Sequence, residues 1–391
     1  MSTFKQKSLF AALAGLGVLG VVDSAQAVHI NQDGLGQALV YPYYTVRSTA
    51  SGNAYVTLLT VVNTTASAKA VKVRFLEGKN SREVLDFNLF LSPKDVWTTA
   101  ITAMGAGAGI TTTDKSCTLP AIPATGKAFV NFAYSADGAG STLDRTTEGY
   151  VEIIEMAAFA DASTTAANVT HVGGVPPGCA AETDSLALSE SLPPTGGLMG
   201  GMSLVNVISG TDVTEDAVAL DRFSIFPLYT GAGVTTPDLS QATPPVSIVV
   251  ANNTVFQSTW APGADAVSAL LMHDHVFNEY VLDTSIHAGT DWVVTMPTKR
   301  FYVANGTGTP PKLFQRNFNT TSGACDDVSL NIYDREEDTT STPLGFSPPA
   351  PTATNAVCWE ANVITFNNSN VLASANVANI TTTFQNGWLD L

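Results

Sequence analysis

Apolar and polar residues alternate with a period of two in many short runs of this chain. In "AVKVRF" (70–75), Val71, Val73 and Phe75 fall on one side and Lys72 and Arg74 on the other. In "VLDFNLFL" (84–91), Leu85, Phe87, Leu89 and Leu91 share a face. Side chains alternate in this way along a β-strand, so each run predicts a half-buried strand. "AFVNFAY" (128–134), "GYVEIIEM" (149–156), "WVVTM" (292–296) and "VSLNIY" (328–333) carry the same signal. Turn residues separate the runs. "VSIVVANNTVFQSTW" (246–260) predicts a hairpin across Asn252 and Asn253, because asparagine tolerates the left-handed backbone of tight turns. "VVNTTASAKAVKV" (61–73) is a second hairpin with a polar loop. The expected fold class is all-β, with two immunoglobulin-like or related β-sandwich domains of mostly antiparallel strands.

From His171 to Gly201 the pattern breaks into a stretch rich in Gly, Pro and Ser. Such composition predicts a linker or long loop, dividing an N-terminal sandwich (28–170) from a C-terminal one (202–391). The alternative is one larger β-domain with a long insertion. "TPLGFSPPAPTATN" (342–355) reads as a loop between strands. At the other end, residues 1–27 have the layout of a secretory signal peptide. Lys5 and Lys7 precede an apolar run from Leu9 to Val22, and "AQA" (25–27) supplies small residues for cleavage. The apolar run is too short to span roughly 30 Å of hydrocarbon, and no later segment has around 20 unbroken apolar residues. An exported protein without a transmembrane segment after cleavage is expected, in the periplasm, at the cell surface or outside the cell.

Composition sharpens this picture. Charged residues make up only 13% of the chain, whereas long helices carry more charge on their wet face. The net charge is −16, and cleavage after Ala27 would take it to −17 by removing Lys5, Lys7 and Asp23. No basic face is available to neutralise phosphates, so nucleic acid and anionic membrane surfaces are poor partners. The four cysteines, Cys117, Cys179, Cys325 and Cys358, are even in number and lie in the exported part, which predicts two disulfides. Three pairings are possible. Cys117 with Cys179 and Cys325 with Cys358 keeps each bridge within one half of the chain. A zinc site is the rival, but no pair is spaced C-x-x-C.

Candidate chemistry centres on "LLMHDHVFNEYVLD" (270–283), which holds His273, His275 and Glu279, with His287 following. On a strand, His273 and His275 would share a face about 6.5–7 Å apart and could chelate zinc, whereas on a helix they would diverge. Glu279 is the third candidate ligand if the strand bends. The alternative is a half-exposed strand end whose imidazoles bond to loops. "SADGAGSTLD" (135–144) offers Asp137, Ser141 and Asp144 to Ca²⁺, without the spacing of an EF-hand loop. A plain hairpin loop is the competing reading. "YPYY" (41–44), Trp97, Trp260 and Trp292 could stack a sugar if exposed, or fill a core. No G-x-S-x-G or G-x-G-x-x-G motif supports a serine hydrolase or a nucleotide site.

Five blocks carry a resemblance: "GLGQALVYPYYTV" (34–46), "NSREVLDFNLFLSPKDVW" (80–97), "EGYVEIIEM" (148–156), "DAVSALLMHDHVFNEYVL" (265–282) and "TDWVVTMPTKRFYV" (290–303). Together they resemble a group of exported proteobacterial cell-surface-like proteins of unknown function. The resemblance implies secretion and a β-rich surface protein, and brings no catalytic residues. Chains of that group continue past an "NGW" strand like Asn386–Trp388, which implies a C-terminal sandwich incomplete at its end. The expected function is a structural, adhesive or partner-binding role without catalysis, the partner being a protein or a cell-surface glycan. Alternatives are a glycan-binding module using exposed aromatics and a secreted metal-dependent hydrolase centred on His273 and His275.

Overall fold

The computed structural model describes residues 26–48, 54–251, 253–303, 313–341 and 356–391. Nearly all of the signal-like segment, Asn252 of the hairpin turn and the expected loop 342–355 lie outside the described residues. The protein is mostly β, and its strands form antiparallel sheets with one parallel pair.

Two large sheets face each other. The seven-stranded sheet runs, in spatial order, His29–Ile30, Val218–Asp221, Ala38–Thr45, Glu148–Ala158, Lys69–Glu77, Glu83–Leu91 and Thr118–Leu119. The six-stranded sheet runs Thr211–Asp216, Leu198–Asn206, Val56–Asn63, Val96–Met104, Gly107–Thr111 and Lys127–Ala128. Alternation built this sandwich as expected. Val71, Val73, Phe75, Phe87 and Leu89 from one sheet meet Leu59, Val61, Trp97 and Ile101 from the other in a single apolar core. One expected strand is replaced: only Lys127–Ala128 of the 128–134 region pairs, and Phe132–Ala136 is a short 3₁₀ helix.

The expected domain boundary is also displaced. Leu198–Asn206 pairs along its length with Val56–Asn63, and Val218–Asp221 pairs with Ala38–Thr45, so the chain from 198 to 221 completes the first sandwich. The Gly/Pro-rich stretch before it is a packed crossover. Cys179 is bonded to Cys117, and Ala187, in the helix Asp184–Glu190, sits in a buried cluster with Phe90 and Phe159. Composition reported a high density of turns; it carried no information about which strands the flanking residues would join.

The C-terminal part forms a smaller pair of sheets. Asp291–Thr295, Ala361–Phe366 and Val377–Ile380 make one, and Phe277–Val281, Asn386–Asp390, Asn331–Asp334 and Thr339–Ser341 make the other. Tyr280, Trp292, Ile332, Ile364, Phe366 and Leu389 pack between them. This unit is fused to the large sandwich. Ala361, Val363 and Leu372 enter the main core, and Glu148 accepts hydrogen bonds from Ser374 Oγ (2.6 Å) and the Ala375 N–H (2.8 Å). The second disulfide, Cys325–Cys358, lies within this part. Each bridge closes a loop of tens of residues, worth about 3–4 kcal/mol in the chain-entropy account.

Candidate functional site

The histidine-bearing block does not form one extended strand. Gly263–Leu271 is a helix, started after Pro262 with Asp265 in its first turn, where a carboxylate complements the helix dipole. Ala266, Val267 and Leu270 pack it on the outer face of the seven-stranded sheet beside Val40 and Ile154. The helix ends as the Met272 N–H bonds to the Ser268 carbonyl, and the chain crosses to Phe277–Val281. His273 and His275 lie on that exposed crossing, and Glu279 lies on the strand beyond. His275 Nδ1 is 2.8 Å from Asp390 Oδ1, and its ring stacks at 5.7 Å on Phe277. Among the described residues, no group of three or more His, Cys, Asp or Glu side chains is placed to hold a metal ion. His273, His275 and Glu279 therefore do not form the candidate cage, because the two histidines lie on an irregular crossing and not on an extended strand.

What the block does build is a patterned surface. In Phe277–Val281 only Tyr280 points inward; Phe277 and Glu279 face solvent. Register then defines a grid across three strands. Phe277 is opposite Asp390, which is opposite Asn331; one step along, Glu279 is opposite Trp388, which is opposite Tyr333. Tyr333 and Trp388 stack at 4.1 Å with planes 10° apart, and Trp388 lies 6.4 Å from Phe277. Phe277 is 61% and Trp388 39% exposed. Cross-strand aromatic pairs of this kind stabilise a sheet by about 0.5–1.5 kcal/mol beyond their buried area.

At one end the grid meets a groove of about 520 Å³. His273, His275, Asn331 and Asp390 line it, with Phe314 and Val328 on its apolar side. Asp274, Asp326 and Asp327 also line it, and among the described residues no lysine or arginine does. Nearby cations are already engaged. Lys299 Nζ lies 2.8 Å from Asp326 Oδ2, at an angle that makes an ion pair rather than a hydrogen bond, and Arg316 donates to Asp327 at 2.8 Å.

The other sequence candidates have different roles. Arg145 grips Asp137 through two hydrogen bonds, 2.9 and 2.8 Å long, and Glu77 through two more. Burial alone would raise the Asp137 carboxyl, but the bonds from Arg145, the Ala139 N–H and Asn80 outweigh it and hold it at about 2. Asp144 pairs with Arg47, and Ser141 offers its carbonyl to Asn131. Asp137 and Asp144 thus serve guanidinium groups, and the candidate calcium loop is a clamp between side chains. Tyr41, Tyr43, Tyr44, Trp97 and Trp292 are buried, and Trp260 is half-buried with its Nε1 donating to Ser247, so of the two readings of this set the core one holds. Ser92 Oγ and Asp95 Oδ2 approach the same nitrogen of His171, at 2.8 and 3.6 Å. A serine relay needs its two partners on opposite ring nitrogens, so this trio is a loop clasp.

Sequence reasoning passed over Phe277, Tyr333, Trp388 and Asp390. A signal was there: Phe277 shares strand parity with Glu279, and Trp388 with Asp390, whereas Tyr280 and Leu389 have the opposite parity. Aromatics in register with acids mark an outward face. Fold and site together define a disulfide-bonded, antiparallel β-sandwich protein with an aromatic surface beside an acidic groove. Against known proteins, the chain matches no family model, no curated protein and no solved structure. The likeness to exported proteobacterial surface proteins rests on its sequence blocks alone.

Proposed function

We propose that the protein is an exported component of the cell envelope or surface that acts by contact with a partner and carries out no catalysis. The observation that carries this reading is the solvent-facing row Phe277, Trp388 and Tyr333, since aromatic side chains clustered in the open are the commonest anchors of binding surfaces. Export is supported by the signal-like layout of residues 1–27 and by the two disulfides, which persist in oxidising compartments. Among the described residues no helix is long and apolar enough to cross a membrane.

Salt-washed cell fractionation tests the reading. The full chain is expected to stay with the envelope fraction after a high-salt wash, and a Phe277→Ala/Trp388→Ala variant to be released. A wild-type protein recovered as a free periplasmic monomer would overturn it.

A further inference from the structure

We propose that the groove and the aromatic grid form one continuous site for an uncharged polysaccharide chain. The proposal rests on the contact reading above and names the partner's chemistry. Continuity comes from three residues. His275, Asn331 and Asp390 line the groove, and each also borders the rings: Asp390 is the register partner of both Phe277 and Asn331, and His275 stacks on Phe277. A chain leaving the groove would pass directly onto Phe277 and then Trp388.

The chemistry of the lining selects the ligand. A pyranose ring has a C–H face that packs on aromatic carbon and a rim of hydroxyls that donate and accept hydrogen bonds. The grid supplies both complements in alternation. Phe277, Trp388 and Tyr333 present carbon, while Glu279, Asp390, Asn331 and His275 present acceptors and donors within one strand spacing of about 4.8 Å. Charge then narrows the class. Four aspartates line the groove and, among the described residues, no lysine or arginine does. Lys299 and Arg316 offset Asp326 and Asp327 from outside the lining, Asp274 and Asp390 keep it acidic, and the chain as a whole carries −16, so an anionic polymer would be repelled at low salt. Area argues against a folded protein partner. Five residues along a strand and four strands across span about 17 Å by about 14 Å. That is well short of the roughly 800 Å² per partner that a stable protein interface buries.

Calorimetric titration of the full chain with three uncharged hexasaccharides tests this: a β-1,4-glucan, an α-1,4-glucan and a β-1,4-linked N-acetylglucosamine chain, with a hexagalacturonate as the anionic control. Saturable binding of at least one neutral chain is expected, none of the anionic one, and about tenfold weaker binding for Phe277→Ala or Trp388→Ala. Both variants should stay folded and melt within a few degrees of the wild type, since they lose cross-strand contacts on an exposed face and no core packing. No binding of any neutral chain, equal binding of the galacturonate, or unchanged affinity in both variants would overturn the proposal. Envelope retention that depends on Trp388 without hexasaccharide binding would sink the saccharide and leave the contact reading standing. Loss of both would end both.

Discussion

The outer face of the seven-stranded sheet carries Lys72, Arg74, Asp86 and Glu152; the outer face of the four-stranded sheet carries Phe277, Trp388 and Tyr333. By residue type the first should be wet and the second dry. The structure has them the other way round. Lys72 and Arg74 are almost wholly buried, because the chain around Tyr229–Gly231 and the turn near Arg300 lie across them. Lys72 bonds to Asp86 and to the Gly231 carbonyl, and Arg74 bonds to Glu83 and Glu152. The aromatic face has no covering segment among the described residues. The comparison teaches that strand parity decides which side a residue stands on, while burial depends on whether another segment arrives there.

The two faces should therefore respond oppositely to mutation, and the largest effect belongs to the charges. Arg74→Ala takes from the buried Glu152 its hydrogen-bonded cation, leaving only the field of Arg300, and is expected to lose about 3–5 kcal/mol in urea denaturation at neutral pH. Replacing Arg74, Glu152 and Glu83 together, Arg74→Leu with Glu152→Leu and Glu83→Gln, should recover most of that loss, because both carboxylates that Arg74 bonds are removed with it. A loss under about 1 kcal/mol for the single variant would mean that this face is wet and the contrast false.

A somewhat smaller effect is expected where the C-terminal sheet joins the sandwich. Glu360 is buried, and burial pushes its carboxyl up to about 8, against the pull of Lys299, Ser81 and Arg300. Its folded value lies above the unfolded 4.5, so its contribution is fully present below pH 4.5 and is lost as pH rises through 8. Glu360→Gln removes that titration. The variant should match the wild type near pH 4 and be the more stable by about 2–4 kcal/mol at pH 9. A constant difference between them across that range would count against a buried, protonated carboxyl.

The smallest effects belong to the aromatic face. Phe277→Ala and Trp388→Ala should each cost no more than about 1.5 kcal/mol of stability, the worth of a cross-strand aromatic pair on a solvated sheet. Binding, and not folding, is where these two should register. A cost as large as that of Arg74→Ala would place them in a core and dissolve the comparison.

Much of the fold is legible in the sequence, and little of the site. Alternation in "AVKVRF" and "VLDFNLFL" marks the core strands, because a residue's side of a strand follows from its position alone. Of the three pairings that four cysteines allow, the structure has the one that keeps each bridge local. The Gly/Pro-rich stretch from 171 misleads, because the strand pairing of Leu198–Asn206 with Val56–Asn63 spans well over a hundred residues and leaves no local trace. The histidines mislead for a related reason. "DAVSALL" fits either period, and packing against Val40 and Ile154 decided for helix.

By itself the sequence determined the β class, the sides of the strands, the even set of four cysteines and the acidity of the chain. These are properties of each residue and its near neighbours. Only the tertiary structure decided which charged face would be covered, which strands complete the first sandwich, and that Phe277, Trp388 and Tyr333 meet beside Asp390. Those contacts join residues from 277 to 390, and their physical cause is register between distant strands, which exists only once the chain has folded.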